Sequence, residues 1–196
     1  DHYLKRPYTL VPVTVTEMPH PRYVDAAGRT LPAETPAEKI AESIYEIRLK
    51  PGIRYQPHPA FALDESGKPR YAGLDREKLK GIERIADFTH TGTRELLADD
   101  YLYEIKRLAH PRLHSPIFAM MAEHIVGLKE LGATLQQAAK PLARDDWLDL
   151  DAYPLKGVEK VDAHTFRIRI KGKYPQFLYW LAMPFFAPVP REVDRF

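Results

Sequence analysis

The chain has 196 residues, a formal net charge of +2 from 29 Lys and Arg against 27 Asp and Glu, 44% hydrophobic residues and no cysteine. That length supports one good core, and the interspersed charges, with no run of five or six like signs, exclude a nucleic-acid stripe or an acidic tail. The absence of cysteine excludes disulfides, thiolate metal sites and a cysteine nucleophile, and no apolar stretch approaches the ~20 residues that span a bilayer.

Residues 8–18, YTLVPVTVTEM, are β-branched and alternating, which predicts a strand with Pro12 near an edge, since proline donates nothing to a ladder. Residues 19–37 carry Asp25-Ala-Ala-Gly28 and several prolines and read as a loop or hairpin turn. Residues 40–50 give the clearest strand: Tyr45, Ile47 and Leu49 alternate with Glu46, Arg48 and Lys50, so one face is buried and one is wet. Pro51-Gly52 ends it. Residues 53–73 form a long excursion with turns at Glu65-Ser66-Gly67 and Lys68-Pro69, and residues 75–87 predict a short amphipathic helix capped by Asp75.

A helix is expected over residues 97–109, where Leu97, Tyr101, Ile105 and Leu108 recur at helical spacing. Asp99 and Asp100 occupy its first turn and Lys106 and Arg107 its last, matching the helix dipole, and His110-Pro111 stops it. Ser115 as cap and Pro116 as first helical residue predict a second helix running to about Lys140, weakened at Gly127 and Gly132, where a kink or a break is expected. Residues 141–156 read as a loop with Trp147 and Tyr153 packed. Residues 158–170 predict a β-hairpin with its turn at Asp162-Ala-His-Thr165, Phe166, Ile168 and Ile170 inward, and Arg167 and Arg169 outward. Residues 175–183 predict an aromatic helix closed by Pro184. Segregated rather than alternating elements predict an α+β fold, a small antiparallel or mixed sheet covered by helices.

The chemistry-bearing residues form no established motif. His110, His114 and His124 invite a metal, but Pro111 breaks the shared helical face of the first two and no glutamate completes an H-E-x-x-H pattern. Asp99-Asp100 and Asp145-Asp146 are carboxylate pairs whose neighbours diverge on a helix. Ser115 lacks a G-x-S-x-G setting, and no glycine-rich phosphate loop exists. Tyr174, Phe177, Tyr179, Trp180, Phe185 and Phe186 cluster near residue 180; they read as core, as groove wall, or as a face covered by another domain.

Several segments in fixed order resemble one family. They are Tyr45-Glu-Ile-Arg-Leu-Lys-Pro-Gly-Ile53, Ala98-Asp-Asp-Tyr-Leu-Tyr103, Lys106-Arg-Leu-Ala-His-Pro111 with Ser115-Pro116, Val158-Glu-Lys-Val-Asp-Ala-His-Thr-Phe-Arg-Ile168 and Ala187-Pro-Val-Pro190. In this order they resemble the extracytoplasmic solute-binding proteins of peptide and nickel ABC importers, solute-binding family 5, over roughly residues 40–193. Most of that stretch is similar to the extra lobe, domain II, of oligopeptide-binding proteins. Two departures stand out: residues 53–96 fill a gap that is short in the family and read as an insertion, and Leu97 replaces the usual threonine cap, leaving Thr93 or a backbone turn to cap the helix.

The resemblance implies one lobe, residues 1–196, of a longer protein with a type II periplasmic-binding architecture. Its parts are the insertion at 53–96, a helical segment at 97–140, and a hairpin plus helix at 157–193. It implies a non-enzymatic binding component with no cofactor and no metal. The expected partners are a peptide or other small solute, an ABC permease in the inner membrane and the remaining lobes of the same polypeptide, with no nucleic acid. It implies a periplasmic or lipid-anchored extracytoplasmic location; the opening Asp-His-Tyr-Leu-Lys-Arg-Pro does not read as a signal peptide, which in a fragment would lie upstream. It names no ligand-contacting residue. Two other classes stay open: a small stand-alone hydrolase using Asp99, Asp100 or the histidines, and a structural interaction domain.

Overall fold

The structure is a computed structural model and describes residues 9–74, 77–143 and 146–196. The protein is an α+β domain with an open, five-stranded antiparallel sheet and five helices among the described residues. The chain divides into two compact units, one holding Leu97–Pro188 and the described part of Asp1–Lys50, the other Pro51–Leu96 and Val189–Phe196.

The first unit carries the whole sheet. Its strands are β1 (Pro21–Val24), β2 (Thr30–Leu31), β3 (Glu42–Arg48), β4 (Val158–Lys160) and β5 (Thr165–Lys171), in the order β2-β1-β3-β5-β4. The pairing of β3 with β5 runs unbroken from Glu42 opposite Lys171 to Arg48 opposite Thr165. Period-two alternation sets the faces: Ser43, Tyr45 and Ile47 of β3 and Phe166, Ile168 and Ile170 of β5 are buried. Each such large apolar side chain contributes about 1.5–3 kcal/mol when fully buried. Ser43 is the polar exception, and its hydroxyl donates to the Gly172 carbonyl at 2.6 Å, which removes the cost of burying it.

The segment read as a loop or hairpin turn, before β3, is a hairpin. Asp25 organises it, its carboxylate accepting from the Ala27 and Arg29 N–H groups, and β1 pairs with both β2 and β3. The strand expected over residues 8–18 does not form among the described residues of that stretch. Only Val15 bridges to Leu49, with Thr16 and Lys50 donating across the gap to Arg48 and Thr14 carbonyls. Val11 and Val13 stay 59% and 72% exposed, so the alternation has no core to face and Pro12 supplies no donor to extend the ladder. Tyr8 lies outside the described residues.

Four helices belong to this unit: α1 (Ala98–Arg107), α2 (Phe118–His124), α3 (Leu128–Ala139) and α4 (Phe177–Leu181). At the start of α1 the Asp100 carboxylate accepts from the Leu97 N–H and the Ala163 carbonyl accepts from Ala98. Two of the amides that every helix start orphans are thereby satisfied without a side-chain cap at Leu97. Ser115 is not the cap of α2. That helix begins at Phe118 after Ile117, and Ser115 contributes its backbone carbonyl to the Phe118 N–H. His114 turns the chain at φ 49° just before, which displaces the serine from capping geometry. The break falls at Gly127, whose φ of 80° separates α2 from α3, while Gly132 sits inside α3 against the Phe118 ring. Trp147 and Tyr153 are half-buried.

The second unit has little regular structure. Arg54–Glu95, His58–Gly92 and Leu63–Pro69 form isolated bridges, and the turn at Glu65–Gly67 is fixed by Asp64, which accepts from Ser66 and Lys68. Thr93 donates to the Tyr55 carbonyl, so its hydroxyl is used within this unit. The helix expected over residues 75–87 is absent among the described residues: turns cover residues 77–81 and a 3-10 turn covers Ile85–Asp87. Gly81 at φ 83° stops helical propagation, and Asp87 takes the Glu83 and Arg84 N–H groups. Asp75, the expected cap, lies outside the described residues. The unit's one α-helix among them is α5 (Arg191–Arg195).

Gly157 is held where the hairpin passes Val126. A Cβ there would lie 2.2 Å from the Val126 carbonyl oxygen, a backbone atom. Gly157→Ala is expected to lower unfolding free energy by about 1–3 kcal/mol, the usual range for forced overpacking. Urea denaturation checks it, and an alanine variant as stable as the parent would contradict the contact.

Candidate functional site

The aromatic segment near residue 180 splits into two populations. Phe177 and Phe186 are core: Phe177 packs 5.3 Å from the Tyr45 ring and 6.3 Å from Phe186, centroid to centroid. Burial pushes the Tyr45 phenol up to about 12, so it stays protonated through the physiological range. Tyr174 lies half-buried, stacked on His124 at 3.9 Å and accepting from the Trp180 indole at 2.9 Å. Tyr179 and Phe185 remain 46% and 38% exposed.

Phe185 borders a concave feature of this unit, a cleft of about 220 Å³ lined also by Glu104, Arg107, Leu108, Leu113 and Ser115. It is smaller than the roughly 300–1,000 Å³ usual for small-molecule sites. Glu104 and Arg107 face each other on adjacent turns of α1 at 2.7 Å, both largely shielded. An ion pair held this way costs desolvation and gains geometry; here it gives the cleft a nearly neutral floor under apolar walls.

The wet face of the sheet is a lattice of alternating charge. Arg169 of β5 donates to both oxygens of Glu42 on β3, at 2.8 and 3.0 Å. Arg167 reaches Glu46 at 2.9 Å and Glu159 of β4 at 3.3 Å, and Arg48 adds a second bond to Glu46 at 2.6 Å. The Glu46 carboxyl is therefore held below its ordinary value, first by Arg167 and then by Arg48.

The sequence-level candidates do not converge. Asp99 pairs with Lys160 on β4 while Asp100 turns back to cap α1, so the two adjacent carboxylates serve different partners. Asp146 accepts from the Ala143 N–H, and Asp145 lies outside the described residues. His110 Nδ1 accepts from the Arg112 N–H at 3.2 Å, His114 sits in a left-handed turn and His124 stacks on Tyr174. Burial, the largest influence on His124, holds its pKa below the usual histidine value, aided by Lys171 and opposed by Glu123. Among the described residues no group of three or more His, Asp or Glu could hold a metal ion, and no helix is long and apolar enough to cross a membrane.

In the second unit a chain of rings runs from Tyr71 through Phe88, Phe196, His58 and Phe61 to Tyr55, with successive centroids 4.8, 5.2, 5.3, 6.3 and 5.7 Å apart. Arg94 lies over Tyr55 and Phe61 at 5.4 and 5.5 Å and grips both oxygens of Glu192 at 2.7 Å each. Burial, the largest influence, pushes the Glu192 carboxyl up, but the Arg94 hydrogen bonds, its own backbone N–H and the charges of Arg94 and Arg191 together hold it below its ordinary value. Residues 94 and 192 carry no local signal that would pair them.

Comparison with protein-family models, curated proteins and solved structures yields no match to this chain.

The Glu46 contacts make a pH-dependent contribution of known sign. A carboxyl depressed in the folded state stabilises above its unfolded pKa, and that stabilisation is lost as pH falls through the folded value. Wild type and Glu46→Gln are expected to differ most in unfolding free energy near pH 7. The difference should shrink as pH drops below the ordinary glutamate value of 4.5. Paired urea titrations across that range measure it; a gap that widens on acidification would refute the assignment.

Proposed function

We propose that this chain is one lobe of an extracytoplasmic solute-binding protein that delivers peptides or related solutes to an ABC importer. Such a protein captures its ligand without breaking a bond, closes by hinge motion and hands the solute to a membrane permease. The lobe's part is framework: a rigid sheet and helix module on which a binding surface is held, with no reacting group of its own.

The observation that carries the reading is the meeting of the segments on which the resemblance rests. The strand holding Tyr45 to Arg48 pairs with the hairpin arm holding Phe166 to Ile168, in continuous register. The Leu49 N–H reaches the His164 carbonyl at 2.7 Å. The Ala98-Asp99-Asp100 helix start bonds to the same hairpin turn through Ala98 and Ala163 and to its first arm through Asp99 and Lys160. Segments scattered across residues 45–168 thus meet in one structural unit, which supports the reading.

The test is the size and location of the native polypeptide, read with an antibody raised against this 22.6 kDa chain. The expected result is a band well above that mass, released by osmotic shock or recovered with lipid-anchored proteins. A cytosolic band at 22.6 kDa would end the importer reading.

A further inference from the structure

We propose that Tyr55, His58, Phe61, Phe88 and Arg94 form a recognition site for a carboxylate followed four residues later by an aromatic ring, and that the chain's own Glu192 and Phe196 fill it in cis. The inference stands apart from the importer reading, because it uses only groups of the second unit.

The site has two halves. Arg94 is the anionic half. Its guanidinium is positioned by two aromatic faces and presents a planar fork that takes both oxygens of one carboxylate. That fork geometry discriminates a carboxylate from a neutral amide, which offers one accepting atom and turns a donor to the other arm. The gap between His58 and Phe88 is the aromatic half, and the Phe196 ring fills it with centroids 5.3 and 5.2 Å away, tilted or edge-on to both. Tilted and edge-on pairs place the positive edge of one ring against the negative face of another.

The occupant fits because it is a helical turn. Glu192 lies in α5 and Phe196 is its C-cap, four positions on, and their contacts with Arg94, His58 and Phe88 place both side chains on one side of that turn. Pro188 and Pro190 precede that helix and limit the conformations it must give up on docking. Any segment offering the same acid and ring at the same spacing presents the same chemistry, so the cis occupant is exchangeable for one supplied by another chain.

The test uses the 196-residue chain and a dye-labelled, amidated peptide of residues 188–196, followed by fluorescence anisotropy. In the Glu192→Ala/Phe196→Ala chain the site is vacated, and the peptide is expected to bind saturably and at least ten-fold more tightly than it binds wild type. Adding Arg94→Ala, or replacing the peptide's glutamate by glutamine or its phenylalanine by alanine, should each weaken binding at least ten-fold. Absence of saturable binding to the folded double variant, or binding indifferent to Arg94, overturns the proposal. If circular dichroism shows the double variant unfolded, Glu192→Gln alone is used, since it keeps the ring and loses the charge. That chain is then expected to admit the peptide better than wild type, and equal binding to both overturns the proposal as well.

Discussion

The pairing of β3 with β5 is the constraint on which the first unit depends. It joins residues near 45 to residues near 168, so a long intervening segment must be closed before any of its hydrogen bonds form. Closure of that kind is costly in entropy, and the return comes from one buried face carrying Tyr45, Ile47, Phe166, Ile168 and Ile170. Every other element leans on the pair. The β1–β2 hairpin extends one side and β4 the other, α1 is tied to the β4–β5 turn through Ala98 and Ala163, and Ile125 bridges to Ile170 between α2 and the strand. On the wet side the Glu46–Arg167 pair repeats that register in charge, and Glu42 reaches diagonally to Arg169. A slip by one residue would bury the arginines and expose the core.

What was legible in the sequence follows from how local each determinant is. The alternation of residues 42–48 and 165–171 and the helical spacing of Tyr101, Ile105 and Leu108 are short-range patterns, and they are realised. The 8–18 segment has the same alternation but lacks a buried surface to receive it, so its pattern carries no strand. The 75–87 pattern is defeated by Gly81 and by the Asp87 turn. Ser115 has the right chemistry for a cap, but the left-handed turn at His114 puts it out of place. The hairpin turn at Asp25–Gly28 is one of the two readings of residues 19–37, and only its flanking strands, Pro21–Val24 and Thr30–Leu31, are too short to show an alternation. The sites divide in the same way. Glu104 and Arg107 are three residues apart on a helix and their pairing is implicit in that spacing, whereas the meeting of Arg94 with Glu192 exists only in three dimensions.

The two units also differ in what holds them. The first is a layered sheet and helix core whose polar groups are mostly satisfied by regular ladders. The second replaces ladders with side-chain anchors: Asp64 and Asp87 hold turns, rings stack in series, and one guanidinium bridges aromatic faces to a carboxylate. Gly92 belongs to this economy, since a Cβ there would meet the Phe61 carbonyl oxygen at 2.1 Å; the backbone crossing beneath the rings leaves room for nothing larger.

The second unit is discontinuous, and this matters during synthesis. Residues 51–96 leave the ribosome early, and translation proceeds through residues 97–188 before Glu192 and Phe196 emerge. For that interval Arg94 has no Glu192 and the rings of His58 and Phe88 have no Phe196 between them. The nascent chain therefore carries an uncovered aromatic surface beside a cation, which is the kind of surface that chaperones bind. Closure of this region therefore waits for residues 189–196 rather than following directly on its own emergence.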